Sequence, residues 1–307
     1  METTEARLLS KIVEGLDIVG DRWSLMILRE AFYGCNRFEQ FRKNTGISRA
    51  TLTRRLQDLI DYDVLYKRPI RDTKHAEYNL TPRGMGLFGA SLIASQLETQ
   101  WQPNDTEKHP PLVHTTCHHE FIALSVCEHC HQPVTADDIQ WQVRSEGVEE
   151  LKNLSSSSSP KRSRASKSGS SVAELIGDRW SLLLLIAGFL GITRFDDFQK
   201  MLNIAPGILN SRLKSLIADG MMERVDCAEG RTRHKYKLTA KGRSTNNFVL
   251  ALRQWIVDGV KEPLPPPNMF HKQCGKPLRQ QVVCAHCHEK PWPQDLVRSG
   301  AMTKSTL

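Results

Sequence analysis

The stretch Gly20-Asp21-Arg22-Trp23-Ser24-Leu25 decides the organisation of this chain, because it returns as Gly177-Asp178-Arg179-Trp180-Ser181-Leu182. The two copies lie 157 residues apart, and further matches follow at the same distance or one residue more. These matches pair Arg37-Phe38 with Arg194-Phe195, Leu52 with Leu209, Leu56 with Leu213, Leu80-Thr81 with Leu238-Thr239, and Gly84 with Gly242. A long repeat of this kind predicts two tandem copies of one structural unit.

Composition narrows the class of protein. A length of 307 residues suggests about two domains, and 39% hydrophobic with 25% charged residues is typical of a soluble globular chain. The net charge of +8 favours nucleic acid or another polyanion as the partner, with an ordinary basic surface as the alternative. The polar start of the chain and an apolar run no longer than Leu182 to Leu190 predict a cytoplasmic protein without a membrane partner.

The spacing of apolar residues in the first copy predicts a series of helices. They are expected over about residues 5–18, after Gly20, around Phe38 and Phe41, and from the N-cap Ser48 through Ile60. The apolar face of that last helix is Leu52, Leu56 and Leu59.

The period then changes to that of strands. Residues 64–68 and 77–80 are predicted to pair around a charged tip at 71–75, and Thr81-Pro82 begins a helix that runs to Trp101. Helices, a helix-turn-helix, a hairpin and a closing helix make up a winged helix-turn-helix. The predicted fold class is therefore α+β, mainly α with small β wings, and a generic small α+β domain is the alternative.

At this point the chain resembles the HxlR-type winged-helix transcriptional regulators. The resemblance rests on Gly-Asp-Arg-Trp, on Arg-Phe before an acidic residue, on Gly46-Ile47-Ser48, and on Tyr78-x-Leu80-Thr81-x-x-Gly84. It covers residues 7–101 well and 172–258 more loosely. Members are usually single-unit chains that dimerise on DNA, so the resemblance implies a covalent pseudo-dimer here. The family's opening helix, which helps to pair subunits, is expected to be cut short in the second copy.

Each copy is followed by the motif His-x2-Cys-x9-Cys-x2-Cys. Thiolate and imidazole ligands at this spacing predict a closed tetrahedral zinc site of structural type, one for each motif. The first predicted ligand set is His114, Cys117, Cys127 and Cys130, and the second is His271, Cys274, Cys284 and Cys287.

Other interpretations of these cysteines are weaker. Cys127-x-x-Cys130-His131 also satisfies the pattern for c-type haem attachment, which would leave the upstream His-x2-Cys unexplained. A redox Cys-x-x-Cys normally begins a helix in a thioredoxin-like βαβ unit, and no such unit is predicted. His118 or His119 could replace His114, but neither has a counterpart in the second motif. The remaining cysteines, Cys35 and Cys227, are interpreted as ordinary thiols without support for a redox switch.

The domain boundaries follow from these patterns and from a serine-rich basic segment without apolar periodicity. They are 1–106 for the first winged helix-turn-helix, 107–150 for the first zinc-ribbon-like module, 151–171 for a flexible linker, 172–264 for the second winged helix-turn-helix, and 265–307 for the second module.

The candidate DNA contacts lie on the predicted recognition helices, residues 48–61 and 205–218, and on the wings. In the first copy they are Ser48, Arg49, Thr53, Arg54, Arg55, Arg68, Arg71 and Lys74. In the second they are Asn210, Ser211, Arg212, Arg231 and Arg233. Arginine suits guanine and asparagine suits adenine, so the two helices are expected to recognise different half-sites.

The leading functional prediction is a transcriptional regulator that binds a double-stranded DNA operator. The alternative is a zinc-stabilised protein-interaction adaptor without DNA binding. Enzyme activity is not predicted, because four protein ligands leave the metal no open position and no catalytic motif occurs elsewhere. The sequence leaves open the operator, any effector, and further self-association of the chain.

Overall fold

The computed structural model describes Gly15, Val19 and residues 22–71, 75–101, 111–141, 178–226, 234–259 and 269–299. The chain forms two compact units. The first winged unit consists of Asp21–Pro133 and Arg279–Leu307, and the second winged unit consists of Met1–Gly20 and Val134–Leu278. The division cuts the predicted modules 107–150 and 265–307 after Pro133 and Leu278, so that each unit combines segments from both sequence repeats.

The first winged unit contains the predicted winged helix-turn-helix followed by small strands. Its elements are α1 (Arg22–Phe32), α2 (Phe38–Thr45), α3 (Arg49–Asp61), β1 (Leu65–Pro69), β2 (Ala76–Leu80), α4 (Pro82–Met85), α5 (Phe88–Trp101), β3 (Leu112–His114), β4 (His119–Glu120), β5 (Ala123–Cys127), and, from the end of the chain, β10 (Gln280–Cys284) and β11 (Leu296–Arg298).

The second winged unit repeats this order with its own strands. Its elements are β6 (Ile139–Trp141), α6 (Arg179–Phe189), α7 (Phe195–Leu202), α8 (Pro206–Ala218), β7 (Met222–Asp226), β8 (His234–Leu238), α9 (Ala240–Ser244), α10 (Asn246–Asp258) and β9 (Met269–His271). Two tandem units of mixed helix and small antiparallel sheet confirm the predicted fold class.

The helix-turn-helix of the first winged unit forms for local reasons. Gly46 ends α2 in the left-handed region at a φ of 68°, which glycine adopts without steric cost. Two residues later the Ser48 side chain accepts the Thr51 amide and caps α3. Leu52 and Leu59 are fully buried on the inner face of α3, which leaves the opposite face for solvent.

The Leu-Thr-x-x-Gly motif is a packed corner between wing and helix. Thr81 caps α4 by accepting the Gly84 amide at 3.0 Å, and its backbone amide donates to the Val64 carbonyl at 3.1 Å. A Cβ on Gly84 would lie 2.1 Å from the Val64 oxygen. The second winged unit has the same corner, where a Cβ on Gly242 would lie 2.0 Å from the Met221 oxygen. Only glycine fits these positions, which explains why both copies of the motif end in it.

The closing helix differs from its prediction. Residues 82–101 form two helices, α4 and α5, rather than one. Gly84 and Gly86 both lie in the short first piece or at its end, and glycine weakens a helix relative to alanine. The same break separates α9 from α10 at Thr245, whose hydroxyl donates to the Gly242 carbonyl at 2.7 Å.

The opening helices were predicted over about 5–18 and just before Gly177, and they lie mostly outside the described residues. Gly15 and Val19 are helical and buried. A Cβ on Gly15 would lie 2.4 Å from Ile256 Cγ1, so this backbone packs closely on α10 within the second winged unit. Among the described residues, no helix is both long and apolar enough to cross a membrane.

We expect Gly242→Ala to destabilise the second winged unit by about 2 kcal/mol or more, because the new methyl group overlaps a backbone oxygen that cannot move away cheaply. The measurement is the denaturant midpoint followed by tryptophan fluorescence. The matched control is Gly207→Ala in the same unit, where a Cβ meets nothing within 4 Å and a neutral or slightly stabilising effect is expected. Equal midpoints for the two variants would contradict this account of the corner.

Candidate functional site

Four short turns present the cysteine and histidine side chains of the two motifs. In each turn, the amide of the residue after the second ligand donates to the carbonyl of the first ligand. That residue also has a positive φ in every case. The four bonds are His118 to His114 at 2.7 Å, His131 to Cys127 at 2.8 Å, Gly275 to His271 at 2.7 Å, and His288 to Cys284 at 2.9 Å. The His-x2-Cys pairs thus have the same turn geometry as the Cys-x2-Cys pairs, which supports His114 and His271 as ligands.

Four candidate ligands meet inside the first winged unit: His114, Cys117, Cys284 and Cys287. Their ligand atoms all lie within 4.8 Å of one another. The Cys117 and Cys287 sulfur atoms are each 3.4 Å from His114 Nδ1, and Cys117 Sγ is 3.9 Å from Cys284 Sγ. His114 and Cys284 are buried.

These distances fit a tetrahedral zinc ion. Zinc binds sulfur at about 2.3 Å and imidazole nitrogen at about 2.0 Å. A regular tetrahedron of such bonds separates two sulfur atoms by about 3.8 Å, and sulfur from nitrogen by about 3.5 Å. The observed separations of 3.9 Å and 3.4 Å agree with both values. The group could therefore hold a metal with three thiolates and one imidazole, closed to water.

The electrostatics of Cys284 also suit a thiolate ligand. Burial acts to raise the pKa of this thiol, but the backbone amides of Cys287 and His286 and the neighbouring cysteine side chains together hold the pKa below its ordinary value. Amides that donate to sulfur favour the charged form. A thiolate is the form of cysteine that binds metal.

The grouping of the ligands differs from the predicted one. The spacing predicted that Cys127 and Cys130 complete the site of His114, whereas the structure completes it with Cys284 and Cys287. The reason is strand pairing across the repeats. β5 pairs with β10, with Ala123 opposite Cys284, and β3 pairs with β11.

The other two ligand pairs each keep their turn geometry within their own unit. Cys127 is buried at the end of β5 and Cys130 is partly exposed in the turn after it. In the second winged unit, Cys274 Sγ lies 3.5 Å from Nδ1 of the buried His271. His118 and His119 are both exposed, and His119 stacks on His286 with ring centroids 4.3 Å apart.

In the second winged unit, Asp178 of the Gly-Asp-Arg-Trp motif connects α6 to the recognition helix α8. In the second winged unit, the Asp178 carboxylate accepts the Ser181 amide at 3.1 Å and caps α6. The same carboxylate lies 3.0 Å from Nε of Arg212 on α8, whose side chain is only 20% exposed. This ion pair links α8 to the start of α6, and the DNA contact of Arg212 stays a prediction. In the sequence, the only sign of this ion pair is that Arg212 and its counterpart Arg55 occupy equivalent positions of the two repeats.

The arginines of α3 are in three different environments. Arg49 is 72% exposed but its guanidinium is 2.6 Å from Glu39 and lies over the Phe38 ring. Arg55 is 11% exposed and pairs with Asp58 at 3.2 Å. Arg54 is exposed on the outer face of α3, beside Thr53, whose hydroxyl donates to the Arg49 carbonyl. Arg54 is thus the arginine of this helix best placed to contact an external partner.

The first wing carries basic side chains, and only some of them form ion pairs within the unit. Arg68 on β1 pairs with Glu77 on β2, and Arg37 also pairs with Glu77 at 3.0 Å. Hydrogen bonding from Arg68 is the main reason that the pKa of Glu77 lies below its ordinary value. Lys67 and Arg71 are exposed. Lys74, predicted as a wing contact, lies outside the described residues.

The second winged unit presents a less basic recognition helix. Asn210 and Ser211 are exposed on α8, where the first unit has Thr53 and Arg54. On its wing, His234 Nδ1 is 2.6 Å from the Asp226 carboxylate. The predicted contacts Arg231 and Arg233 lie outside the described residues, as does Cys227.

Cys35 is buried in the first winged unit. Burial raises the pKa of its thiol to about 11, and the Glu30 carboxylate adds to this effect. At neutral pH the thiolate fraction is therefore very small, which is the opposite of what a reactive cysteine needs. This environment agrees with the interpretation of Cys35 as an ordinary thiol.

Sequence comparison identifies relatives that are similar to part of this chain. The HTH-type transcriptional regulator Rv3095 of Mycobacterium tuberculosis (strain ATCC 25618 / H37Rv) is 37% identical over 125 residues, which are 40% of this chain and 79% of that protein. The regulator sll1512 of Synechocystis (strain PCC 6803) is 34% identical over 92 residues, 28% of this chain and 65% of that protein. The crystal structure of PA1607, a proposed transcription factor, is 33% identical with a TM-score of 0.37, covering 42% of this chain and 92% of that one.

A family model described as HxlR-like helix-turn-helix matches residues 18–106 and again residues 175–263. The two matches together cover more than half of the chain, and each contains the helix-turn-helix, the wing and the Leu-Thr-x-x-Gly corner of one copy. The resemblance noted from the sequence is thereby confirmed. The chain belongs to the HxlR-like helix-turn-helix family and carries two tandem copies of its domain.

Proposed function

We propose that this protein is a transcriptional regulator that binds a specific double-stranded DNA operator as a covalent pseudo-dimer. The observation that carries the proposal is an HxlR-like recognition helix whose inner face is buried through Leu52 and Leu59 while Arg54 projects to solvent. The net charge of +8 supports a polyanionic partner. The recognition helices would enter the major groove, and the wings would lie on the backbone.

Specificity in the first half would come mainly from Arg54 with support from Arg49. An arginine that reaches a base edge forms two hydrogen bonds with guanine. Arg55 is held by Asp58 and would support the helix, whereas Arg49 pairs with Glu39 but stays exposed and would add to specificity. Lys67, Arg68 and Arg71 would contact phosphates, which adds affinity without sequence information.

The second half would bind DNA more weakly and prefer a different sequence. Arg49 is replaced by Pro206, Thr53 by Asn210 and Arg54 by Ser211. The kept arginine, Arg212, is engaged by Asp178. Asparagine suits adenine, and each lost bidentate contact removes about 1–3 kcal/mol of discrimination. The two halves would therefore recognise an asymmetric operator.

We also propose that the chain binds two zinc ions in structural roles. One ion would be held by His114, Cys117, Cys284 and Cys287. A set of three thiolates and one imidazole supplies folding free energy rather than catalysis, because no coordination position remains for water or substrate.

Replacing Cys287 with serine should reduce the bound zinc from two ions to one per chain, because one ligand set loses a thiolate. Elemental analysis of protein purified under reducing conditions measures this. Cys35→Ser is the matched control, since Cys35 lies outside both motifs, and it should keep both ions. Covalently attached haem would overturn the zinc proposal, and wild-type protein with fewer than two ions per chain would contradict two sites.

We expect Arg54→Ala to relax specificity at one operator position by about 1–3 kcal/mol. Arg71→Ala removes an equal charge from the wing and should instead weaken binding to all sequences alike. Both effects are read from equilibrium titrations on the selected operator and on single-base variants, at several salt concentrations. Affinity should fall steeply with salt, through counterion release. Affinity that neither variant changes would favour the protein-interaction adaptor.

Selection of bound sequences from random DNA should yield an asymmetric operator, with the stronger half under α3. The variant Pro206→Arg with Ser211→Arg restores arginines to α8 and should make the selected site more palindromic. Footprinting would then show more equal protection of the two halves. A perfect palindrome selected by the wild-type chain, with equal protection of both halves, would show that the difference between the recognition helices is not used.

A further inference from the structure

The segment 279–299 at the end of the chain is built into the first winged unit. β10 pairs with β5 over five residues, from Gln280 opposite Cys127 to Cys284 opposite Ala123. β11 pairs with β3, with Leu296 opposite His114. The backbone amide of Ser299 donates to the Pro111 carbonyl at 3.0 Å. These two strands thus complete sheets whose other strands come from the first sequence repeat.

Side chains of this segment also reach the helices of the first winged unit. The Arg298 guanidinium lies over the Tyr33 ring, 4.6 Å from its centroid. A Cβ on Gly89 would lie 3.1 Å from Val282 Cγ2, so β10 packs closely on α5. Arg279 pairs with Glu128 at 2.7 Å. The contacts with Tyr33 and Gly89 extend beyond the sheet, to the winged helix itself.

The exchange has a counterpart in the second winged unit. There β6, from the first half of the sequence, pairs with β9, with Ile139 opposite His271. The Lys272 amide donates to the Asp138 carbonyl at 2.8 Å. Each unit thus takes strands from both repeats.

We propose that the metal held by His114, Cys117, Cys284 and Cys287 is a clasp that holds the end of the chain in the first winged unit and so interlocks the two repeats. An isolated pair of strands is marginally stable in water, whereas a structural zinc ion couples its binding to folding. Segment 279–299 therefore stays docked only while the metal is bound. The clasp rests on the proposed zinc binding and is independent of DNA recognition.

The clasp joins the halves of the chain by a route other than residues 151–171. Because two of its ligands come from each repeat, neither repeat can close this site by itself. The connection between the repeats at this site then depends on the metal. Loss of the metal would release ligands of both repeats at once.

Disulfide mapping of the wild-type chain tests which cysteines are neighbours. Diamide takes two electrons from a pair of adjacent thiolates and two protons from water, becomes a hydrazine, and leaves a disulfide while the zinc ion is released. Trypsin then leaves Cys117 in peptide 109–144 with Cys127 and Cys130, and leaves Cys284 and Cys287 together in peptide 280–298. We expect Cys117 to link the two peptides, since its sulfur is 3.9 Å from that of Cys284. Links of Cys117 confined to peptide 109–144 would overturn the exchange.

Hydrogen exchange on the intact chain tests the metal dependence. After chelation, amides of Val282, Val283 and Val113 should exchange at least tenfold faster, while those around Leu209 in α8 keep their protection. Cys287→Ser should reproduce the change with zinc present, and Cys35→Ser should not. Unchanged protection of segment 279–299 after metal loss would overturn the clasp. Neither measurement involves DNA. The clasp can therefore fail while the proposal of DNA binding stands, and the reverse.

Discussion

The antiparallel pairing of Ala123–Cys127 with Gln280–Cys284 is the interaction on which the composition of the first winged unit depends. It brings a strand from the end of the chain against one that follows the first winged helix. The Cys284 sulfur then lies 3.9 Å from that of Cys117. Because a cysteine pair at the end of a strand moves with that strand, the choice of pairing partner decides which ligands share a metal.

Contacts between helix, wing and loop hold the motif residues of the winged units in place. In the Thr-x-x-Gly corner, the backbone at Gly84 or Gly242 packs against the carbonyl of Val64 or Met221, just before the wing. The approach is too close for a residue that has a Cβ. The capping aspartate of Gly-Asp-Arg-Trp engages an arginine of the recognition helix in the second unit. These contacts give motif residues structural roles, and Arg212 takes part in one of them.

The asymmetry between the recognition helices lies on their outer faces. The buried leucines are kept at equivalent positions, because a change there would leave a cavity in the core. The outer positions carry no such cost, so Arg54 in one copy and Ser211 in the other are compatible with the same fold. Such a chain can keep two copies of a scaffold while their surfaces diverge.

The sequence by itself determined the repeat, the winged fold, the helix caps and the eight candidate ligands. Each of these depends on local signals: period, capping residues, glycine at a corner, and the spacing of histidine and cysteine within one turn. It did not determine that Arg212 faces Asp178, or that the closing helix breaks at Gly86.

Only the tertiary structure decided which half-motifs combine. Two motifs with identical spacing leave the within-motif and exchanged groupings equally compatible with ligand chemistry. What separates them is the pairing of strands more than a hundred residues apart in sequence, Ala123–Cys127 with Gln280–Cys284 and Leu112–His114 with Leu296–Arg298. The pairing of strands so far apart in sequence depends on how they pack against helices such as α5. Local sequence patterns do not predict it.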